Sequence, residues 1–321
     1  MADGKEVTLN DLLGGLAQPE EVDKIELVAI IGAGVMGQGI AQTISSSGID
    51  VLMIERTIEN VNEAKEHLTR TMEHEISRWS MTKSEMKSIM SRIQWSLDIN
   101  EVKDADFIIE AVEESFEHKK QVFSDLDKVA RPDTILVSNT ATLSLSKIAE
   151  TTSRPEKIIG MHFLNPVPKV SLVEVVKALE TSDDTVARTK AFAEKIGKRP
   201  IEVYEYPGFV TTRVIVPYLN EAMYVLLEGI ASAEDIEVAM KLGYNLQIGP
   251  LELADTIGLD ELLHWMQELW NALGEPRYRP CPILRQKVRD KKLGKKCGEG
   301  FFKYDEDGNK IANDVEKMKI V

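Results

Sequence analysis

The stretch Gly32-Ala33-Gly34-Val35-Met36-Gly37 decides the fold, because it stands directly between an apolar run and a helical pattern. The run from Ile25 to Ile31 is rich in β-branched residues, which is typical of a strand buried on both faces of a parallel sheet. In this context each glycine has a separate task. Gly32 permits the tight turn, Gly34 lets the backbone approach a pyrophosphate, and Gly37 lets helix and strand pack closely. The stretch therefore predicts a dinucleotide-binding loop.

A carboxylate at the end of the second apolar run selects the dinucleotide. Glu55 follows the strand predicted at 51–54 and lies 23 residues after Gly32. In that position it accepts hydrogen bonds from the ribose hydroxyls and repels a 2′-phosphate, which favours NAD over NADP. The neighbouring Arg56 argues the other way, since an arginine accommodates that phosphate. A glycine turn that packs strand on helix without any ligand is the alternative interpretation.

Strand and helix patterns alternate over about the first 200 residues. Further strands are predicted at 107–109, 135–137, 158–161 and 172–175. Such alternation indicates an α/β fold with a doubly wound, mostly parallel sheet of the Rossmann type. After Tyr206-Pro207-Gly208 only helical patterns follow, among them Thr211 to Leu227 and a helix that starts at Ser232 and stops at Gly243. We predict an N-terminal leader at 1–23, an NAD-binding domain at 24–206 and a smaller all-helical domain at 207–321 for substrate binding and dimerisation.

Composition narrows the class of protein. The 321 residues carry a formal net charge of −14, which argues against a nucleic-acid binder because such proteins need a basic face. No apolar run approaches the ~20 residues needed to cross a bilayer, and the N-terminus lacks the build of a signal peptide. Cys281 and Cys297, with no histidine nearby, predict reduced thiols and no metal site. We therefore expect a cytoplasmic protein without a membrane anchor.

One of the five histidines differs from the rest. His162 ends an apolar strand, and ligands of open α/β sheets sit at strand ends. Glu174, twelve residues on, lies in another apolar strand, where a carboxylate is costly unless it has a partner. A paired imidazole and carboxylate suit general acid–base catalysis, so an alcohol dehydrogenation with NAD is predicted; a buried structural pair is the alternative. The remaining histidines are interpreted as solvated (His67, His74 and His118) or packed within a helix (His264).

Several motifs, taken in order and spacing, resemble one known family. They are GAGVMGQGIA at 32–41, IIEAVEE at 108–114, SNT at 138–140, HFLNPVPKVSLVEV at 162–175, PGFVTTR at 207–213 and LGKKCGEGFFKYD at 293–305. The chain resembles the L-3-hydroxyacyl-CoA dehydrogenase family, including its short-chain 3-hydroxybutyryl-CoA dehydrogenases. The similarity extends from about Lys24 to Tyr304, nearly the whole chain.

The resemblance implies an acyl-CoA substrate, NAD as cofactor and a homodimer. It makes His162 the general base and Glu174 the partner that orients and stabilises it, while Asn165 helps to place both substrate and nicotinamide. Arg78 becomes the best basic candidate for the CoA tail. The family positions that contact NAD fall on the glycine loop, with Val35 and Met36, and on Glu55, Ala111, Glu114, Lys119, Asn139 and Lys296.

Two positions depart from the family pattern. The family usually reads SNTSS, and its substrate-binding serine falls on Ala141. Thr212 stands where an asparagine is common and keeps a hydroxyl for the substrate. Losing an oxyanion-type donor lowers turnover by about 10²–10³. Thr142 either supplies a substitute hydroxyl to the substrate or faces away as a capping residue.

These departures leave competing hypotheses open. The first is reversible, NAD-dependent oxidation of (S)-3-hydroxyacyl-CoA, with a short-chain substrate such as 3-hydroxybutyryl-CoA; the stretch HFLNP and the following Pro-Lys-Val favour this CoA branch. The second is a related dehydrogenase of the same fold that acts on a free hydroxy acid. The third, motivated by Ala141, is an NAD-binding homologue with weakened catalysis.

Overall fold

The computed structural model describes residues 25–311, which form a Rossmann-type α/β domain followed by a helical domain. The strands are β1 (Leu27–Ile31), β2 (Asp50–Ile54), β3 (Ile93–Ser96), β4 (Phe107–Glu110), β5 (Ile135–Ser138), β6 (Ile158–Phe163), β7 (Leu172–Lys177) and β8 (Arg199–Tyr204). The α-helices are α1 (Val35–Ser46), α2 (Ile58–Ser77), α3 (Lys83–Arg92), α4 (Phe116–Val129), α5 (Leu145–Ala149), α6 (Asp183–Lys195), α7 (Thr211–Leu227), α8 (Ala233–Tyr244), α9 (Pro250–Ile257), α10 (Leu259–Leu273) and α11 (Pro282–Arg289). The leader predicted at 1–23 lies outside the described residues.

All eight strands form one sheet in the order β3-β2-β1-β4-β5-β6-β7-β8. Every neighbouring pair is parallel except β6 and β7, which are antiparallel. The doubly wound, mostly parallel sheet predicted from the alternation is therefore confirmed. Strand order reverses between β1 and β4, and open α/β sheets bind ligands in the crevice at such a switch point. The glycine loop leaves β1 at this crevice.

The central strands are apolar because helices cover both sheet faces. Along β1, Val28 and Ile30 pack in one buried cluster, whereas Ala29 and Ile31 pack in another. Successive side chains of a strand point to opposite faces, so a strand covered twice reads as a continuous apolar run. This is the pattern that predicts β1 from the sequence.

Two strands escaped prediction, and both lie at the edges of the sheet. β3 and β8 each have a neighbour on one side only, and most of their residues are partly exposed. β8 also contains Pro200, which cannot donate to a ladder and is tolerated at sheet edges. Edge strands therefore lack the apolar run that identifies the central ones.

Helix signals in the sequence were mostly reliable. Thr82 and Glu85 form a capping box at the start of α3, and α7 has the predicted limits. The expectation that Gly243 stops the helix after Ser232 was wrong. α8 continues through Gly243 to Tyr244, and the left-handed residue that terminates it is Asn245, with φ 55°.

The helical domain has its own core. Buried side chains of α7, α9 and α10 form one cluster with residues from the C-terminal segment. Asp255 ties that segment down, because its carboxylate accepts hydrogen bonds from the backbone of Phe301 and Phe302 and from the hydroxyl of Tyr304. Across residues 25–311, no helix has both the length and the apolar character that crossing a bilayer requires.

Candidate active site

The centre of the site is a histidine–glutamate pair across two strands. His162 on β6 is the direct register partner of Glu174 on β7, and this pairing belongs to the one antiparallel ladder of the sheet. The Nδ1 of His162 lies 2.6 Å from Oε2 of Glu174. Both residues are buried. The predicted convergence of the two side chains is therefore present.

The helical domain fixes the carboxylate of this pair. Oε1 of Glu174 accepts hydrogen bonds from the backbone of Val210 (3.0 Å) and Thr211 (2.9 Å) at the start of α7, and Oε2 accepts one from the Thr211 hydroxyl (2.8 Å). A helix N-terminus favours a negative charge. Burial raises the pKa of Glu174, but the bonds from His162 and Thr211 outweigh it and leave the pKa below its ordinary value. Glu174 is therefore ionised at neutral pH.

An ionised Glu174 determines the tautomer of the imidazole. A carboxylate only accepts hydrogen bonds, so Nδ1 of His162 must carry the proton. In the neutral ring Nε2 is then the acceptor, which is the state that a general base requires. The ring of Phe209 lies 5.7 Å from the imidazole ring, centre to centre, and forms one wall beside it. The pair is arranged to receive a proton at Nε2.

The turn after β6 leads from the pair into a cavity. Asn165 follows His162 by three residues and precedes Pro166 through a cis peptide bond. It lines a cavity of about 220 Å³ between this turn and helices α1 and α2. Buried Lys198 holds the turn, because its ammonium donates to the carbonyl oxygens of Val167 (2.5 Å) and Val170 (2.7 Å). Asn165 thus lies three residues after His162 in the chain and on the wall of the cavity beside α2.

The glycine loop fits a bound dinucleotide. Gly32 has φ 100°, and a Cβ there would stand 2.8 Å from the carbonyl oxygen of Ala111. A Cβ on Gly37 would stand 2.0 Å from the carbonyl oxygen of Gly32. The start of α1 can therefore lie this close to the loop only because residue 37 is glycine. At Gly34, by contrast, a Cβ would meet nothing within 4 Å, which leaves open space above the loop. No side chain caps the start of α1, and its N–H groups there are available to phosphate oxygens.

The structure also places the carboxylate that selects the cofactor. Oε2 of Glu55 accepts from the backbone of Ala33 at 3.0 Å, so Glu55 lies against the glycine loop. Burial raises the pKa of Glu55, but hydrogen bonds from Arg56 and Ala33 leave it below the ordinary value. The side chain of Arg56 contacts Nδ1 of His118 at 3.0 Å. Its positive charge also helps to lower the pKa of Glu55, so the preference for NAD depends on the carboxylate of Glu55 and not on the absence of Arg56.

A buried ion network lies beneath this crevice. The ammonium of Lys119 contacts Oε1 of Glu110 at 2.6 Å and Oε2 of Glu114 at 3.3 Å. Burial raises the pKa of Glu110. For Glu114 the effect of burial is outweighed by Lys119 and by hydrogen bonds from Thr140 and Ala141, so its pKa is lowered. Lys119 has no exposed surface, so its expected part in NAD binding is to hold Glu114 and the loop rather than to reach a ligand.

The segment with the sequence departures lies directly over Glu114. The backbone of Ala141 donates to Oε1 of Glu114 at 3.0 Å, and the hydroxyl of Thr142 contacts the same oxygen at 3.3 Å. The Thr142 hydroxyl therefore already has a partner. Asn139 accepts at Oδ1 from the backbone of Phe163 at 3.2 Å, which links this segment to the strand that carries His162.

Three other expected contact residues lie in the helical domain or at the end of α2. Thr212 is buried in the first turn of α7, next to the residue that binds Glu174. Arg78 follows the end of α2 and donates to the carbonyl oxygen of Asp307 at 3.1 Å. Lys296 pairs with Asp260 at 2.6 Å within the helical domain. Their substrate and cofactor contacts stay predictions.

Sequence reasoning missed some residues of the site. Glu110 and Thr211 gave no separate signal, because their roles depend on partners distant in sequence. His67 and His74 are exposed, as the sequence predicted, but both also line the cavity, and Nδ1 of His67 lies 2.7 Å from Oε1 of Gln38. Their spacing along α2 was the available signal, because residues seven apart share a helix face.

Family models match nearly all of the described chain. Residues 27–206 match the 3-hydroxyacyl-CoA dehydrogenase NAD binding domain, and residues 208–304 match the 3-hydroxyacyl-CoA dehydrogenase C-terminal domain. The chain belongs to the 3-hydroxyacyl-CoA dehydrogenase family. It is thus an NAD-dependent dehydrogenase, and the resemblance seen in the sequence is confirmed.

Individual members of the 3-hydroxyacyl-CoA dehydrogenase family are similar over their full length. A probable 3-hydroxybutyryl-CoA dehydrogenase of Bacillus subtilis is 44% identical over 283 residues, covering 88% of this chain and 99% of the relative. The crystal structure of (S)-3-hydroxybutyryl-CoA dehydrogenase from Ralstonia eutropha has a TM-score of 0.80 and 40% identity, covering 88% and 100% of the two chains. Mycobacterium tuberculosis FadB2 has a TM-score of 0.85 and 35% identity, with coverage of 88% and 100%.

Proposed function

We propose that the protein oxidises (S)-3-hydroxyacyl-CoA to 3-oxoacyl-CoA with NAD, reversibly, and that its substrate is a short-chain thioester such as 3-hydroxybutyryl-CoA. The observation that carries this proposal is the 2.6 Å contact between His162 and Glu174 beside the crevice of the glycine loop. It supplies a base where the alcohol must lose a proton. The names of relatives at 35–44% identity support the short chain.

Each protein group has a defined part in this reaction. Nε2 of His162 removes the proton of the 3-hydroxyl, and the imidazolium that forms is stabilised by the charge of Glu174. NAD, when bound, accepts the hydride that leaves the same carbon. In the reverse direction the imidazolium returns its proton to the oxygen of the 3-oxo group. Asn165, on the turn beside the pair, orients the thioester in the cavity.

The cofactor contacts are assigned in the same proposal. The loop with Gly32, Gly34 and Gly37 holds the pyrophosphate, and Glu55 holds the ribose. The remaining positions that we assign to NAD, or to the support of its site, are Val35, Met36, Ala111, Glu114, Lys119, Asn139, Asn165 and Lys296. Thr212 and Thr142 are assigned to the substrate side. The open space above Gly34 and the burial of Lys119 support this division.

An absorbance assay of NADH tests the function. NADH oxidation is measured with acetoacetyl-CoA and, separately, with free acetoacetate, using wild-type protein and His162→Ala. We expect turnover of the thioester only, and a fall of about 10²–10⁴-fold in His162→Ala. Turnover of the free acid alone would favour a hydroxy-acid dehydrogenase. NAD binding with no turnover of either compound, unchanged by the substitution, would favour a homologue without catalysis.

We propose that two copies associate through the helical domain. Val214 on α7 and Val238, Leu242 and Tyr244 on α8 are large apolar side chains with between half and four fifths of their surface exposed. Apolar exposure concentrated on two adjacent helices is typical of an interface, and a second copy offers a matching surface. Leu242→Glu is expected to convert a dimer to a monomer in size-exclusion chromatography with light scattering. An unchanged mass would contradict this interface.

We also propose that the enzyme works in the cytoplasm, in fatty-acid metabolism. Cys281 is buried and Cys297 exposed, and both are free thiols. Free thiols persist in a reducing compartment. Cell fractionation with an antibody against the protein tests the location, and recovery with a membrane fraction would contradict it.

A further inference from the structure

Helix α7 begins without a cap of its own. Its N-cap residue is Val210, whose side chain offers no hydrogen-bond acceptor. The carboxylate of Glu174 on β7 fills that place, because its Oε1 accepts from the backbone N–H groups of Val210 at 3.0 Å and Thr211 at 2.9 Å. Its Oε2 contacts Nδ1 of His162 at 2.6 Å. One buried carboxylate therefore caps a helix of the helical domain and holds the catalytic imidazole.

The second oxygen of this carboxylate has an additional donor. The hydroxyl of Thr211 donates to Oε2 of Glu174 at 2.8 Å, and Oε2 is the oxygen that the imidazole of His162 also contacts. A hydroxyl bound to a carboxylate stabilises its negative charge and fixes its orientation. The side chain of Glu174 has no exposed surface at which water could supply another donor. The Thr211 hydroxyl and the imidazole thus share one charged oxygen.

The surroundings of this oxygen contain little other charge. Within the part of the chain that the structure describes, His162 is the only basic side chain that pairs with Glu174. The register partner of Glu174 on β8 is Ile201, which is apolar. On α7, the guanidinium of Arg213 stacks on the ring of Tyr206 at 4.3 Å. A change in the charge of Oε2 therefore acts mainly on the imidazole.

Packing, and not the hydroxyl, holds the backbone of Thr211 in place. Gly208 and Phe209, which precede the helix, have φ angles of 77° and 46°. A bulky residue keeps a positive φ only where its surroundings enforce it. Phe209 is buried in an apolar cluster that includes Val176 of β7. Removing only the hydroxyl of Thr211 therefore leaves the backbone hydrogen bonds to the carboxylate intact.

We propose that Thr211 is a positioning residue for the catalytic base. Its hydroxyl directs Oε2 of Glu174 at Nδ1 of His162 and takes up part of the charge of that oxygen. The proposal rests on the proposed function, in which His162 accepts the proton of the 3-hydroxyl. A carboxylate with fewer donors would favour the imidazolium, whereas proton abstraction needs the neutral imidazole. Thr211 therefore acts through Glu174 and keeps the base in the state that reacts.

The pH dependence of both reaction directions tests this role. Thr211→Val removes the hydroxyl and keeps the branched shape, so Oε2 of Glu174 has one donor fewer and stabilises the imidazolium more strongly. Oxidation of 3-hydroxybutyryl-CoA needs the neutral imidazole, and the acidic limb of its kcat/KM should move to higher pH by about 0.5–1 unit. Reduction of acetoacetyl-CoA needs the imidazolium, and its alkaline limb should move to higher pH as well. A merely structural loss would lower the rates without moving both limbs in one direction.

Three further variants complete this test. Thr211→Ser keeps a hydroxyl and should return both limbs to their wild-type positions. Thr189→Val is the matched control and should leave both limbs in place, because Thr189 is a buried threonine on α6 whose hydroxyl donates to the carbonyl oxygen of Thr185 at 2.7 Å. Thr211→Ala gives the same comparison if the valine variant does not fold. Limbs that stay in place without the Thr211 hydroxyl, or a shift that Thr211→Ser or Thr189→Val shares, overturn the proposal.

NMR titration of the full-length protein without ligands separates this role from the function itself. With isotope-labelled histidine, the ring signals of His162 are those that disappear in His162→Gln, and they report its protonation. The midpoint of protonation should lie about 0.5–1 pH unit higher in Thr211→Val than in wild type or Thr211→Ser. Equal midpoints overturn the positioning role while the proposed function stands. If neither thioester is turned over, the proposed function fails, and the titration still decides the role of Thr211.

Discussion

The ammonium of Lys119 lies 2.6 Å from Oε1 of Glu110, and neither side chain has any exposed surface. Glu110 ends β4 and also accepts hydrogen bonds from the backbone of Val112 (2.7 Å) and the hydroxyl of Ser138 (2.7 Å). One buried carboxylate thus joins β4, β5 and the start of the segment that leads to α4. This junction supports the crevice where the strand order reverses.

Lys119→Met should be strongly destabilising. It leaves Glu110 buried without its cation, and breaking a buried pair in this way costs about 3–5 kcal/mol of unfolding free energy. Burial already raises the pKa of Glu110, so protonation should soften the loss at lower pH. Urea unfolding at pH 7 and pH 5 measures both effects. Lys128→Met breaks an exposed pair with Asp125 and should change stability by less than about 1 kcal/mol. Equal losses of unfolding free energy in Lys119→Met and Lys128→Met would show that burial does not increase the contribution of the Lys119–Glu110 pair to stability.

Glu174→Gln should lower kcat more than it lowers cofactor affinity. Glutamine carries an amide in place of one oxygen and no charge, so it neither fixes the Nδ1–H tautomer of His162 nor stabilises the imidazolium. We expect a fall of about 10²–10⁴-fold in kcat, with the Kd for NADH within about threefold of wild type. Glu202→Gln makes the same change on β8, where Glu202 pairs with Lys190 at 3.3 Å. A Glu174→Gln variant with more than half of wild-type kcat would contradict an electrostatic role.

Ala141→Ser should raise turnover. The chain lacks the hydroxyl that the family pattern places here, and one such donor contributes about 10²–10³ in rate when it reaches the developing oxyanion. We expect kcat for acetoacetyl-CoA to rise at least about fivefold. Ala141→Val adds bulk without a donor and should lower it. If Ala141→Ser is no faster than wild type while Thr142→Val is slow, the substitute donor is the hydroxyl of Thr142.

Glu237→Gln should stabilise the protein at high pH. Oε1 of Glu237 accepts from the backbone of Leu251 at 2.8 Å, but Oε2 has no hydrogen-bond partner among the described residues. Burial raises the pKa of Glu237 above its unfolded value, so its contribution to stability is full below the unfolded pKa and is lost as pH rises through the folded one. Glutamine does not titrate.

Thermal unfolding between pH 4.5 and pH 8 checks this expectation. The Tm advantage of Glu237→Gln over wild type should grow as the pH rises. Glu221→Gln, an exposed position on α7, is the control and should follow the wild-type profile. A constant offset across the range would mean that Glu237 does not gain a proton on folding.

The sequence was most informative where an energetically unfavourable residue, or an obligatory glycine, stands at a position that only a specific structure can explain. Glu174 stands out because an ionised group in an apolar strand needs a partner, and His162 is that partner. The glycine loop stands out because close backbone approaches exclude any side chain at Gly32 and Gly37. Both features are local in sequence, although their consequences are tertiary.

Contacts between residues that are distant in the sequence could not be predicted in this way. The hydrogen bonds from Val210 and Thr211 to Glu174 cross from the helical domain to the sheet over more than 30 residues. The contact between Arg56 and His118 spans 62 residues and exists only in the folded structure. No periodicity or motif in the sequence predicts either interaction.

The antiparallel pairing of β6 and β7 has a consequence for how such an enzyme diversifies. The ladder aligns His162 with Glu174, whereas one wall of the cavity comes from the connecting loop, where Asn165 and Lys169 lie. Mutations in that loop can reshape what is recognised while proton transfer is inherited intact. The preference for one acyl group over another can therefore evolve while the catalytic pair stays unchanged. Mutant libraries confined to this loop are the natural starting point for new specificities.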